Sequence, residues 1–335
     1  MVVVTGRKYR ITRWDRAGTI VTISIDYYEH PDTLCEFLWR ISHLSDERLG
    51  VDPTAVRLDK LDPRYLHMDL AALRRPENET VHRERNLSPG ELQGSHSFRY
   101  IRDAFAETLA SEEYPRYELK VVDSGTTRYF LVGKPVYTAS GMAGRGTRGF
   151  IAYELATKRF FWLKDSWRTS YENVEQEGRI LQKLHAAGIT NVPTVACHGD
   201  VGDQKTVTAS WWLRQYPMTN TSTTPISGGG TSSSTPHSAA YSNSRVGRMK
   251  PKGSSTVRSA SVTQPPTANG PNATDFPFRP DCLIRQHQHY RLVEEEVCLS
   301  LEMFKNGRQL VSIVLDCLRS AFPIFSVRRR APGLT

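Results

Sequence analysis

The sequence predicts an α+β fold: a twisted antiparallel sheet crossed by one helix, with an α-rich segment before it and the start of a helical unit after it. Three observations carry that reading. Short β-branched and aromatic runs follow one another at residues 117–122, 128–132, 149–155 and 159–164, with tight breaks between them, as in an antiparallel meander. A helical spacing of apolar residues then covers 171–187 and stops at Gly188, a residue suited to the left-handed turn that ends a helix. Ahead of the meander, two segments repeat apolar residues at helical intervals.

Taken in order, residues 1–115 form the α-rich extension. Thr19 to Tyr28 read as a strand, and Pro31-Asp32 opens a helix with Leu34, Phe37, Leu38, Ile41 and Leu44 on one face. Residues 50–95 read as loop with one short helix, and Phe98, Ile101, Phe105 and Leu109 mark a further helix. Residues 116–216 hold the meander, its helix and two more strands at 194–197 and 207–213. The stretch 217–275 differs in kind. Ser, Thr, Gly and Pro dominate it, and no acidic residue occurs between Asp203 and Asp275. Such a composition buries too little apolar surface to offset its ordering entropy, so it reads as a disordered insertion within one fold. Over 276–322 a strand resumes at Arg291–Val297, and a helix follows over 308–321 with Leu310, Val311, Val314, Leu315 and Leu318. Residues 323–335 lose that pattern and are expected to fray.

Composition narrows the function classes. The 335 residues are 39% hydrophobic and 24% charged, ordinary for a globular protein. The net charge of +9 invites a nucleic-acid partner, but the excess lies in the polar insertion and in Arg328-Arg329-Arg330, not on a periodic face, which argues against one. Cys35, Cys197, Cys282, Cys298 and Cys317 are odd in number and widely spaced, so reduced thiols in the cytoplasm or nucleus are expected, with neither zinc nor a disulfide framework. No run of about 18 apolar residues appears, and no membrane partner is expected. His287 and His289 could share a metal on a strand face, yet no third ligand is suggested, and a solvated pair is the reading preferred.

The chemistry concentrates in three places. Gly144-Arg145-Gly146-Thr147-Arg148-Gly149 is a GxGxxG run, but a strand pattern follows it where a dinucleotide-binding unit would need a helix. Phe161-Trp162-Leu163-Lys164 ends the next strand in three apolar residues and a lysine. Thirteen residues on, Glu177 opens a helical run in which Ile180, Leu181 and Leu184 would seat against the sheet and turn the carboxylate toward Lys164. An ammonium held partly out of water needs such a partner. Glu175 would point elsewhere on that helix.

Residues 117–320 resemble the nucleotide-binding lobe of the protein kinase fold. The chain as a whole is similar to the fungal-type protein kinase domain family over roughly 15–320. The segments that carry the likeness are Phe37 to Asp46, Gly144 to Tyr153, Leu163 to Arg168, and His289 to Val293, with Glu294 to Val297 in the place of the interlobe hinge. The resemblance implies ATP as ligand, held by Gly144, Gly146, Gly149, Lys164 and Glu177, with Glu295 and Val297 in the hinge. It also implies a Ser/Thr phosphotransferase ancestry. The residues for the transfer itself, a catalytic-loop Asp and the magnesium-binding Asn and Asp, belong after the hinge and are not found there. His67-Met68-Asp69-Leu70 and Asp123-Ser124-Gly125 imitate those motifs but precede the glycine run, and they lack the required Asn and Phe. Three expectations follow. The first is an incomplete kinase homologue that holds ATP weakly, lacks magnesium ligands and is inactive or nearly so. The second is a non-catalytic interaction module that binds a protein at the exposed floor of the lobe. The third is a gene model that ends before the second lobe of an active kinase.

Overall fold

In the computed structural model the described residues are 1–73, 79–80, 97–170, 174–215 and 284–330. The expected insertion at 217–275 lies outside them, as do residues 331–335 of the tail. The chain opens with a four-stranded sheet where the sequence leads one to expect a single strand at 19–28, which is in fact broken into two. Strands β1 (Val2–Thr5), β2 (Lys8–Asp15), β3 (Gly18–Val21) and β4 (Ile25–Asp26) pair antiparallel around β2. Their signal is the alternation around Tyr9 and Ile11, with Tyr9 fully buried. Helix α1 (Pro31–Ser42) and the short α2 (Asp46–Leu49) follow, the latter closed by Gly50 at φ 98°. Next come β5 (Ala55–Arg57), α3 (Pro63–Ala72), a two-residue parallel pair β6 (Glu79–Thr80) and β7 (Ser97–Phe98), and α4 (Arg99–Leu109).

The main sheet then unfolds as β8 (Tyr117–Asp123), β9 (Thr126–Val132), β10 (Tyr137–Thr138), β11 (Arg148–Glu154) and β12 (Arg159–Thr169). Helix α5 (Glu177–Ala186), β13 (Val195–Lys205), α6 (Thr208–Gln215), β14 (His287–Glu294) and α7 (Gly307–Arg330) complete the chain. All pairs in the eight-stranded sheet are antiparallel, in the order β13-β14-β12-β11-β9-β8-β5, with β10 also on β11. The predicted meander is therefore present.

Strand β12 runs on past Lys164, its expected end, to Thr169, and β14 occupies 287–294 instead of the expected 291–297. Three further boundaries shift for a tertiary reason. Residues 208–213 of the expected strand 207–213 fold as part of helix α6 instead. The Asp15 carboxylate, from a turn far back in the chain, accepts the N–H groups of Val207 (2.7 Å) and Thr208 (2.8 Å) and caps α6. Helix α5 begins at Glu177, not at 171, because Gln176 stays extended and donates to Asp200 (3.1 Å). Helix α7 runs on past Pro323 to Arg330, so the loss of order expected from residue 323 is not found through 330. Proline keeps a helical φ and gives up only one N–H, which a helix tolerates at the cost of a kink.

The sheet curls until β13 meets β8. A Cβ at Gly199 would lie 2.0 Å from the Val122 carbonyl oxygen, so only glycine allows this approach. The His198 N–H also donates to the Asp123 carboxylate (3.1 Å). Inside the curl, Leu119, Val121, Phe130, Val132, Phe150, Ala152, Phe161 and Leu163 form one core. On the other face, α3 and α4 pack Met68, Ile101 and Phe105 against Leu131, Ile151 and Phe160. Both motif imitators are structural. Asp69 sits on α3 in an ion pair with Arg116 (2.7 Å), while Ser124 (φ 48°) and Gly125 (φ 86°) make the tight β8–β9 turn.

Candidate functional site

Residues directly opposite on antiparallel strands share a face, which fixes what the glycine-bearing strand can meet. Gly149 pairs with Lys164, Ile151 with Trp162, Trp162 with Glu294, and Lys164 with Leu292. Lys164, Trp162, Gly149 and Glu294 accordingly line one cleft of about 410 Å³, joined by Tyr137 and Thr147. The bareness of Gly149 is structural as well: a Cβ there would lie 2.4 Å from Trp162 Cζ2.

Lys164 Nζ donates to both carboxylate oxygens of Glu177, each at 2.7 Å. Glu175 is occupied elsewhere, with Lys183. Three contacts hold Glu177 in place. The Gly178 N–H donates to the Tyr290 hydroxyl (2.9 Å), tying the first turn of α5 to β14. A Cβ at Gly178 would come 2.3 Å from the His198 ring, so α5 approaches β13 through a glycine. Arg168 grips Asp200 through two hydrogen bonds (2.7 and 2.8 Å), and Asp200 in turn receives Gln176. Burial raises the Tyr290 hydroxyl above its ordinary range, keeping it neutral as the acceptor of the Gly178 N–H.

The other expected site residues are placed differently. Gly144 and Gly146 lie against the β2–β3 turn. The Gly144 N–H donates to the Arg16 carbonyl (2.8 Å), and Arg16 Nη1 donates to the carbonyls of Gly141 (3.1 Å) and Met142 (3.3 Å). A Cβ at Gly146 would fall 2.1 Å from Arg16 Cζ. Glu295 points to Arg159 (3.4 Å). Val297 is buried with α3 and α4, and its carbonyl accepts the Tyr100 hydroxyl (2.5 Å). Neither residue lines the cleft. Glu294 does, and the sequence marked it only as the start of the hinge; its signal was its register opposite Trp162, two places from the lysine. Burial and the neighbouring Glu177 push the Glu294 carboxyl up to about 7, against the pull of Lys164.

A family model described as fungal protein kinase matches residues 1–326. The chain belongs to the fungal protein kinase family. No curated protein and no solved structure matches it. Within this fungal protein kinase chain, the β1–β4 sheet and helices α1–α4 fall inside the matched range and are part of the family domain.

One side expectation is overturned by burial. His287 and His289 are both buried, not solvated; His289 Nε2 lies 2.7 Å from Asp165 Oδ1, and no group of three or more metal-ligating side chains occurs among the described residues. Cys35, Cys197, Cys298 and Cys317 are free thiols, and burial pushes Cys197 up to about 12. No helix among the described residues is long and apolar enough to cross a membrane.

Proposed function

We propose that the cleft beside β11 holds a nucleoside triphosphate, with Lys164 on its phosphate oxygens and Glu177 keeping the ammonium aimed. The observation that carries this reading is the two-oxygen grip of Glu177 on Lys164 in the wall of the cleft, at 2.7 Å each. A bare Gly149 supports it, since a nucleotide's phosphates need backbone approach without a side chain in the way. Magnesium fits less well. When bound it neutralises charge between the β- and γ-phosphates, but outside the ion pair the cleft lining offers one carboxylate, Glu294. ATP is therefore held weakly.

The residues that follow β14 add no transfer chemistry of their own to this cleft. Residues 295–335 contain no His and a single Asp, Asp316, which lies 3.6 Å from Arg319 on α7. Neither a base for the hydroxyl proton nor paired metal ligands are supplied there, and those groups provide most of the positioning and charge stabilisation of the reaction.

A second reading, a protein-interaction module, draws on α7, whose Val311, Val314, Leu315 and Leu318 are all exposed. A thermal-shift series with ATP and a non-hydrolysable analogue, with and without magnesium, separates the two. A shift with nucleotide supports the first reading; no shift at any concentration favours the second.

A further inference from the structure

Strand β14 ends on Glu294, opposite Trp162 on β12, so its carboxyl enters the same cleft as the indole and the Lys164 ammonium. The neighbouring acids are all engaged. Glu177 holds Lys164, Glu295 pairs with Arg159, and Glu296 accepts the Thr194 N–H (2.8 Å) and hydroxyl (2.6 Å). Among the described residues, Glu294 alone of these four has a carboxyl with no hydrogen-bond or ion-pair partner, its backbone pairing in the sheet. A carboxyl facing a cleft without a partner, beside an aromatic ring, is complementary to a flat ligand carrying hydrogen-bonding groups on its edge.

We propose that Glu294 reads the Watson–Crick edge of a purine nucleotide in this cleft, and that its protonation state selects the purine: guanine when ionised, adenine when protonated. The inference rests on the nucleotide reading above. The chemistry is one of matching patterns. An ionised carboxylate presents two acceptors side by side and meets the adjacent N1–H and N2–H₂ donors of guanine. A protonated carboxyl presents one donor and one acceptor and meets N1 and N6–H₂ of adenine. Trp162 supplies a ring on which either base stacks.

Both forms of Glu294 are accessible near neutrality because its carboxyl is pushed up to about 7. The charged and titratable groups that bear on it are Lys164 from β12, Glu177 from α5, and Glu296 and Cys298 from the segment after β14. Lys164 favours the ionised form, whereas Glu177 and Glu296 oppose it. The nucleotide's own phosphates titrate identically in ATP and GTP, so they cancel from the ratio of the two affinities.

The test is calorimetric titration of the full chain with ATP and with GTP from about pH 6 to about pH 8.5, spanning an acid that titrates near neutrality. The ATP-to-GTP affinity ratio is expected to fall about tenfold across that range, the lower end of what one bidentate base contact discriminates. In Glu294→Gln the amide keeps one donor and one acceptor at every pH, so the adenine preference should persist and the pH dependence of the ratio should vanish. A flat ratio in the wild type, or the same pH dependence in Glu294→Gln, overturns the inference while leaving nucleotide binding intact. Binding of neither nucleotide at any pH overturns it together with the nucleotide reading.

Discussion

Residues 164 and 165 are neighbours on one strand, yet they put two ion pairs into opposite environments. Lys164 lines a cleft and meets Glu177 at its edge, with side chains 22% and 41% exposed. Asp165 turns inward, where it is 2% exposed against Arg291 at 1% and His289 at 3%. Arg291 spans the inside of the curled sheet. It donates to Asp165 (3.3 Å), Asp52 (2.5 Å), the Thr54 hydroxyl (2.7 Å) and the Lys120 carbonyl (2.7 Å), joining β14, β12, β8 and the segment before β5. His289 completes the set by facing Asp165 and Gln204 at 2.7 Å each and stacking on Trp167.

The difference teaches what each pair is for. A buried charge whose partner is removed stays buried and uncompensated, whereas an exposed one is rescued by water. The inner network therefore holds the curl of the sheet, and the outer pair is the one the proposed function assigns to a ligand.

The largest effect should come from breaking the inner network. Arg291→Met takes the guanidinium away from two carboxylates, Asp165 and Asp52, and is expected to lower stability by about 3–5 kcal/mol, read as the midpoint of urea unfolding. A midpoint close to wild type would show the guanidinium to be dispensable and would erase the contrast between the two faces.

Acid should act on the same network. Burial alone would raise the Asp165 carboxyl, but the His289 hydrogen bond and the Arg291 guanidinium outweigh it and hold the group well below the usual carboxylate range. Asp52, partly buried, is held low beside Arg291. A group whose folded value is depressed stabilises fully above its unfolded value and loses that contribution as pH falls beneath it. Stability should thus drop steeply below about pH 4, the unfolded carboxylate range. Lys164→Ala should keep that acid limb, and Asp165→Asn should flatten it.

A smaller effect sharpens the outer side of the comparison. Gly178→Ala places a methyl 2.3 Å from the His198 ring and pushes the start of α5 off β13. About 1–3 kcal/mol of overpacking is expected, together with weaker nucleotide binding as Glu177 withdraws from Lys164. Unchanged affinity in a folded Gly178→Ala protein would show that the seating of α5 does not govern the site.

The sequence made the outer pair legible and left the inner one hidden. Lys164 and Glu177 are announced by local order: a glycine run, a lysine after three apolar residues in a strand, a helix opening on glutamate. Arg291 reaches Asp52 across 239 positions, and nothing local distinguishes it from any other strand arginine. The same physics explains the misplaced elements. Helix α6 is capped by Asp15 from 193 positions away, so strand-like residues at 208–213 fold as helix once the sheet delivers that carboxylate. Gly144 and Gly146 belong to a run that reads as a single device, yet Arg16 from the first sheet claims them and leaves Gly149 to the cleft. Glu294 became visible as a cleft residue only through its register against Trp162.

The central claim, that the pair on the open face serves a ligand and not the fold, is tested most directly by titrating ATP into folded Lys164→Ala beside the wild type. The account predicts an affinity at least about tenfold lower, with a urea midpoint displaced by less than about 1 kcal/mol of stability. Wild-type affinity in the variant, or a stability loss as large as that of Arg291→Met, would contradict it.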